Sequence, residues 1–589
     1  MTPTIGRLRA RWRLRDPYAR QNGIAKFPPI VAAVLAARGI TTRPQADLFY
    51  KPHLAPDHDP LELPGMHEAV ERLRRAIAGG ETIALFGDFD VDGVTSIAVL
   101  QLGLRPLGAK TVNYIPDRFS EGYGLNLGAV QRLREGGAGV LVTADCGISS
   151  VAEVALANQL GMDVVILDHH TVPDEMPAAY ATVNPKRLDS PYPFDELAAV
   201  GVAYRFLQVL YESYGRTLDE SEFIDLVALG TVVDVAPLFD ENRGIVTDGL
   251  AQMQRGLRPG LEALASIAGT PAERFNAETL GFAIGPRMNA AGRLSHAYIA
   301  LDLMLANEPR QARHLAEELD RLNRQRQQQT EDAFAIAEEL LGAADDPLIL
   351  VESDRIHAGI VGLVASRLAD RRHRPSIVLN RGAQESRASA RSIPEFDIVS
   401  AIRRERELLV RHGGHRAAAG FTVRNEHVPL LRERLINTAA ELLDADNLRP
   451  VIEIDAEAPL SGLTGLEIKG LMRFEPCGQG NRKPVLLSRG VRLVGSKVVG
   501  SDKSHLRLTV RDANGAGPAA TWPAIAFRMA DYDLANEVDI VYSLKRDWKS
   551  ERVELEVLDI APSAEGHALE SRRGSPARPM TSGAAEWRR

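Results

Sequence analysis

The 589-residue sequence predicts an α/β protein of two lobes joined by a long helix and followed by a small β-barrel, on three observations. Over residues 61–245 short apolar or β-branched runs alternate with helical patterns: ETIALF then TSIAVLQLGL, TVNYI, VLVTA then SSVAEVALANQLG, DVVIL, and SEFIDLVALGTVVDV. Such alternation indicates a largely parallel sheet, whose strand ends carry the chemistry. Residues 246–341 form a helical connector, ending in a stretch from 300 that is nearly free of Gly and strand signals. A second α/β pattern fills 342–445 (DPLILVES, HAGIVGLVASRLADRR, PSIVLN, SRASARS, AAAGFTV). From 446 to 562 short strands separated by Gly and Pro turns predict an antiparallel barrel. Residues 1–60 are set apart as an N-terminal segment, and 563–589 lack a hydrophobic pattern and read as disordered.

Composition bounds the function. Apolar residues at 45% and charged residues at 25% are those of a soluble globular protein, and no apolar stretch is long enough to span a membrane. Two distant cysteines, Cys146 and Cys477, suggest neither a disulfide framework nor a thiolate zinc site, which fits a reducing, cytoplasmic setting. The net charge of -8 argues weakly against nucleic acid, but charge is unevenly placed: residues 367–416 hold twelve Arg and no Lys against six Asp and Glu. Such a segment is either a solvated surface or a phosphate-recognition site.

Four segments put carboxylate or imidazole just beyond predicted strands: Asp88, Asp90 and Asp92 in FGDFDVDG; Asp145 in VTADCG; Asp168, His169 and His170 in VVILDHH; and Asp234 in LGTVVDV. A single Asp there is most often a cap or turn residue, and Asp92, before Gly93 and a helix, reads as the cap of that helix. Four such segments on one sheet rim exceed what capping explains. Clustered carboxylates at the edge of a core repel and need cations, and oxygen-rich sites with one or two imidazoles suit Mg²⁺ or Mn²⁺. Asp88 and Asp90, two apart on an extended segment, point to the same side and can take one metal each. A calcium loop of the DxDxDG type is excluded, because its twelfth position is Val99 and not Glu.

These segments, in this order, resemble the DHH family of phosphoesterases. HAGIVGLVASRL, SARS and HGGHRAAAGF resemble the family's associated substrate-binding domain, while IPDRFSEGYGLN, GPRMNAAGRLSHA and EPCGQGNRKP resemble its bacterial single-strand-specific 5′ to 3′ DNA exonucleases. The resemblance implies a two-lobed DHH phosphoesterase with an OB-like barrel, acting with two divalent ions, Mn²⁺ or Mg²⁺, in DNA repair and recombination. It implies that Asp88, Asp90, Asp145, His169 and Asp234 hold the metals, with Asp145 bridging. Asp92 and Asp168 support them, and His170 faces the scissile phosphate. Ser389 and Arg391 would hold a 5′ phosphate with Arg118 and Arg287, and Asn289, Arg293, His357 and Ser392 would line the same substrate path. Gly413 and Gly414 free backbone N–H groups for a phosphate, His415 adds a donor, and Tyr123 is a candidate to stack on a base. Among the barrel aromatics Trp522, Phe527, Tyr542 and Trp548, some must be core and others can stack on bases. The implied partner is single-stranded DNA with a 5′ end, with a single-strand-binding protein and a helicase nearby, no membrane, and a monomeric enzyme. Two other readings stay open: a DHH phosphodiesterase acting on nanoRNA or cyclic dinucleotides, and a non-catalytic DNA-binding scaffold.

Overall fold

The computed structural model describes residues 10–15, 22–52, 58–342, 345–500, 502–513, 521–532, 534–546, 552–563 and 570–571. Trp548 and most of the tail from 564 lie outside these residues. The first lobe is a five-stranded, wholly parallel sheet in the order Lys110–Tyr114, Thr82–Gly87, Ala138–Ala144, Asp163–Leu167, Ala181–Val183. Apart from the edge strand Lys110–Tyr114, its strands are buried on both faces. Ile83 and Leu85 pack with the helices Val91–Leu104 and Ala199–Ser213, whereas Ala84 and Phe86 pack with Leu127–Glu135 and Val151–Gln159. Phe86 stacks on Tyr114 at 5.4 Å.

The chain runs from Thr82–Gly87 to one neighbour and then crosses to the other side for Ala138–Ala144, so the strand order reverses between these two. Ligands bind outside the carboxyl ends of strands at such a point. The register sharpens this. Gly87 lies opposite Ala144, Ala144 opposite Leu167, and Leu167 opposite Val183. The next residue of each strand, Asp88, Asp145, Asp168 and Asn184, therefore falls in one row along the sheet edge.

The run containing Asp234 departs from expectation. It is not a strand but the helix Ile224–Val233, with Asp234 at its C-terminus. Residues Ile224 to Thr231 are all buried, so the helix is apolar all round and its sequence carries no amphipathic period to separate it from a buried strand.

The helix Pro309–Leu341 spans about 50 Å. Ala312, Ala316, Leu319 and Leu322 belong to the first lobe's core, while Ala333, Phe334 and Ala337 belong to the second lobe's. One rigid element thus fixes both lobes. The second lobe is a mixed sheet in the order Leu409–His415, Ala418–Arg424, Glu385–Arg391, Ser376–Arg381, Ile349–Ser353, with only the last pair parallel.

The barrel closes through Leu486–Val499, which pairs with both His505–Asp512 and Glu537–Arg546. It is not wholly antiparallel: Trp522–Ala526 runs parallel to Val553–Pro562. The N-terminal segment, expected to stand apart, is built into this unit. Arg11–Leu14 pairs in parallel with Val451–Ile454 and with Glu570–Ser571, so two residues of the tail read as disordered form a strand. Trp12 is buried, and its Nε1 donates to Asp559 at 2.9 Å. Glu467 accepts from the backbone N–H of Ile30 and Val31, capping the helix Pro29–Ala37 from another element. Arg38 forms a buried fork to Asp455 at 3.1 and 2.8 Å. Arg38→Ala leaves the buried Asp455 with only the longer contact to the part-exposed Arg15 at 3.6 Å, and we expect it to destabilise the barrel unit by about 3 kcal/mol. An earlier first transition in urea would register this; an unshifted one would remove the pair from the account.

Candidate metal centre and phosphate pocket

The loop after Thr82–Gly87 brings Asp88 and Asp90 to the sheet edge. Asp90, not Asp92, caps the following helix: its Oδ1 accepts from the N–H of Asp92 and Gly93 at 3.0 and 3.1 Å. Its other oxygen stays available. Asp92, expected to cap its own helix, instead accepts from the N–H of Ala199 and Val200 at 2.7 and 2.9 Å, and so caps the distant helix Ala199–Ser213. Gly93 permits the loop to fold back, because a Cβ there would lie 2.5 Å from the Asp88 carbonyl oxygen.

Asp145 adopts the left-handed region at φ 63°, which is uncommon for a non-glycine residue and strained. Its N–H donates to the Leu167 carbonyl, and its carboxylate Oδ1 lies 3.2 Å from His169 Nε2. His169 also has Asp92 at 3.8 Å on Nε2 and Asp234 at 3.9 Å on Nδ1. Three sets of ligand atoms converge, each within 4.8 Å: Asp88, Asp90 and Asp145; Asp92, His169 and Asp234; Asp145, His169 and His170. Asp145 belongs to two of them. All five residues expected to bind metal are brought together.

The electrostatics fit cations. Asp88 and Asp145 are held well above the ordinary carboxylate range by burial and then by Asp90. Asp234 is pushed up to about 9 by burial and then by Asp92 and Asp90, and Asp92 to about 7 by burial and then by Asp90. Burial and then His170 lower His169 to about 3, so its ring is neutral and free to ligate. Asp88 Oδ1 and His169 Nε2 are buried without a hydrogen-bond partner, as ligand atoms awaiting a cation would be. Stability follows from these shifts. The folded, cation-free protein binds more protons than the unfolded chain from a pH of about 4, the ordinary Asp range, up to the folded values, about 9 for Asp234. In EDTA the melting temperature should therefore fall as pH rises from 5 to 9, and the increment given by Mn²⁺ should widen over the same range. A cation-free melting temperature that rises with pH would contradict this.

Asp168 orients His170. Its Oδ1 lies 2.7 Å from His170 Nδ1 and also accepts from the N–H of His169 and His170, while Oδ2 accepts from Ile148 N–H. Burial opposes its charge, but the bond to His170, the charge of His170 and the Ile148 N–H outweigh it and hold Asp168 well below the carboxylate range. Burial likewise lowers His170, and the Asp168 bond overrides it and raises the imidazole. The Nε2 of His170 faces the Tyr123 hydroxyl at 3.1 Å, and this hydroxyl also reaches the Asp145 carbonyl at 3.4 Å. Tyr123, expected to stack on a base, thus also touches the reacting end of the site.

Beside the carboxylate row lies a group of cations with few anions. Ser389 and Arg391, two apart on one strand, share a sheet face under the start of the helix Val361–Arg372. A Cβ on Gly362 would sit 3.0 Å from Ser389 Oγ and 3.1 Å from Arg391 Nη2, so glycine opens the space above them. Arg118 lies 4.7 Å over the Phe89 ring, its charge lowered by burial and supported by Asp88 and Asp90. Arg293 is lowered to about 9 by burial and then by Arg118, Arg326 and Arg391. Arginines so buried and mutually repelling call for an anionic ligand. Arg326, on the linker helix, was not singled out from the sequence. Its Nη2 donates to Asn323, while Nε is buried without a partner. Its only signal was one Arg among many on the charged face of a long helix.

The other expected substrate residues divide. Asn289 shares a helix face with Arg293, four residues on. His357 contacts Phe119 across the lobes at 5.5 Å between ring centres. His415 is lowered by burial and then by Arg391, and feels His170, so it faces both sites. Gly413, on an exposed edge strand, is open to a ligand; Gly414 serves its own hairpin, since a Cβ there would lie 2.4 Å from the Ala418 carbonyl oxygen. Two are otherwise engaged. Arg287 pairs with Asp320 at 2.9 Å, and the Ser392 hydroxyl donates to the Phe396 carbonyl at 2.7 Å.

Comparison with known proteins agrees with this geometry. Family models match the DHH family N-terminal domain over residues 82–231, the DHHA1 domain over 345–443 and the RecJ OB domain over 454–559. The single-stranded-DNA-specific exonuclease RecJ of Bacillus subtilis is 39% identical over 490 residues, covering 82% of this chain and 62% of that protein's length. The RecJ of Dickeya dadantii is 35% identical, covering 89% of this chain and 95% of its own length. Among solved structures, RecJ from Thermus thermophilus in complex with Mn²⁺ superposes with a TM-score of 0.81 at 30% identity, over 95% of this chain and 80% of that one. With all three domains matched in this order and near-full-length similarity to such relatives, the chain belongs to the RecJ family of DHH phosphoesterases.

Proposed function

We propose that this chain degrades single-stranded DNA from its 5′ end, releasing 5′-mononucleotides, with two divalent cations, Mn²⁺ or Mg²⁺. The observation that carries this reading is the adjacency of two sites of contrary charge: the carboxylate row on the sheet edge and the group of Arg118, Arg293, Arg391 and Ser389, in which Arg118 and Arg293 feel the acidic row. Asp88, Asp90, Asp145, His169 and Asp234 would hold the ions. When bound, the ions supply a water of lowered pKa and neutralise charge developing on the phosphate.

The chain's own residues supply position and protons. The arginines and Ser389 fix a terminal 5′ phosphate, so that the first internucleotide phosphate is the one presented to the carboxylate row. Asp168 holds His170 with its Nδ1 side bonded, which leaves Nε2, beside the Tyr123 hydroxyl, to donate a proton to a phosphate oxygen. Water attacks phosphorus and the bond to the 3′ oxygen breaks. One nucleotide leaves, and the shortened strand carries a new 5′ phosphate that refits the same pocket.

The substrate must first be unwound, so the reading places a helicase and a single-strand-binding protein beside the enzyme, which works as a cytoplasmic monomer. Both cysteines are free thiols. Among the described residues no helix is long and apolar enough to cross a membrane. The barrel distinguishes this reading from a phosphodiesterase of dinucleotides or nanoRNA, which has no use for a strand-guiding domain. Turnover of a long 5′-phosphorylated strand should exceed that of a dinucleotide; the reverse order would select the phosphodiesterase.

A further inference from the structure

The end pocket does not use up the arginines of the second lobe. Ser389 and Arg391 share one face of the strand Glu385–Arg391, and by alternation Arg387 lies on that face too, whereas Ser386, Ala388 and Ala390 are buried on the other. Strand pairing carries this face across the sheet in three rows: Arg391, Ala418 and His415; Ser389, Gly420 and Gly413; Arg387, Thr422 and Arg411. Successive rows are about 7 Å apart.

The rows have a direction. His415 feels the charge of Arg391 and of His170, so the first row is the one nearer the metal centre. The third lies about 14 Å behind it along the strands, away from the scissile bond. Between them the second row is kept low by glycine: Gly413 and Gly420 carry no side chain, and a Cβ on Gly413 would meet nothing within 4 Å. Arg391 turns back over this row, its Nη1 donating to Ser389 Oγ at 3.1 Å. The helix Val361–Arg372 begins there without a side-chain cap and adds its positive end.

The third row holds two guanidinium groups and no anion. Arg387 and Arg411 stand exposed on either side of the buried Thr422, whose hydroxyl accepts from Arg411 Nε at 3.1 Å. Among the described residues neither arginine has a carboxylate partner. One row further on, Glu385 stands opposite Arg424, so the uncompensated positive stretch ends there. Isolated exposed arginines need no ligand, but these two continue a phosphate pocket in line and by a single row. A monophosphate held at Ser389 and Arg391 falls short of them. A triphosphate, longer by two phosphoryl groups and met by two long side chains, bridges the step of about 7 Å.

We propose that the row of Arg387 and Arg411 is a second phosphate subsite, which takes the β- and γ-phosphates of strands that begin with a 5′ triphosphate. Such ends are left by polymerisation that starts without a primer. The inference rests on the exonuclease reading and its 5′-phosphate pocket. With the α-phosphate at Ser389 and Arg391, the first internucleotide phosphate keeps its place at the carboxylate row. Water attacks that phosphorus and the bond to the 3′ oxygen breaks, as for a monophosphate end. The first product is therefore a nucleoside 5′-triphosphate with both anhydride bonds intact, and every later product is a monophosphate.

The test uses one DNA sequence bearing a 5′ hydroxyl, phosphate or triphosphate, with Mn²⁺ in excess of all phosphate. The parent chain should release the first nucleotide of the triphosphate strand as nucleoside triphosphate, with a kcat/KM no lower than for the 5′ phosphate. In the double variant Arg387→Gln, Arg411→Gln that value should fall about 10–100-fold, while the 5′-phosphate strand is degraded as before. No loss, an equal loss on both ends, or release of pyrophosphate or orthophosphate would overturn the proposal. Inhibition by a free deoxynucleoside triphosphate that the double variant relieves, without turnover of triphosphate strands, would make the row a nucleotide site and equally overturn it. Binding of the three strands in EDTA needs no turnover. A parent chain that prefers the triphosphate end there but degrades no strand in Mn²⁺ would sink the exonuclease reading and leave the subsite standing.

Discussion

Asp145→Ala should abolish Mn²⁺-dependent turnover, by a factor on the order of 10³ or more, while the fold survives. Asp145 is shared by two of the three converging ligand sets, so its removal disrupts both of those and leaves only Asp92, His169 and Asp234 together. The residue is buried, strained at φ 63°, and surrounded by like charge, none of which favours the folded state. In the absence of metal the variant should therefore melt above the parent, the usual direction when a functional charge cluster is relieved. The pairing of lost turnover with gained metal-free stability separates a ligand from a structural residue. Substantial turnover in a folded Asp145→Ala protein would remove it from the centre.

The second large effect concerns end recognition. Arg391→Ala should lower the preference for 5′-phosphorylated over 5′-hydroxyl strands by about 10–100-fold, the worth of a hydrogen bond to a charged group. Arg391 stands beside Ser389 with Arg118 near, and its guanidinium is desolvated, so its bond to a phosphate is worth more than on a surface. The loss should fall on the phosphorylated strand alone. Equal losses on both kinds of end would mean that Arg391 shapes the lobe without reading the terminus.

Much of the site was legible because, once the edge strand Lys110–Tyr114 is set aside, the other four strands of the parallel sheet lie side by side in chain order. Asp88, Asp145 and Asp168 each follow a strand, and the register sets them in one row without help from distant residues. What was misread depended on contacts far along the chain. Asp92 caps a helix 107 residues away, so its local Gly93 pattern pointed to the wrong backbone. Asp234 ends a helix buried on every side, where periodicity is silent. Arg326 is distinguished only by its burial and by the neighbouring Arg287 and Arg293, which come from another helix. The N-terminal segment joins the barrel through pairs such as Arg38 and Asp455, separated by 417 residues, and no local pattern announces such a match.

The central claim is that a cation-filled carboxylate row faces an end pocket and consumes an unpaired strand from its 5′ terminus. It is tested most directly by digesting single and double strands, labelled at the 5′ or the 3′ end, with Mn²⁺ and with EDTA. The account predicts immediate release of the 5′ label as mononucleotide from single strands only, late release of the 3′ label, and no release in EDTA. Early loss of the 3′ label, equal digestion of duplex, or turnover without divalent metal would contradict it.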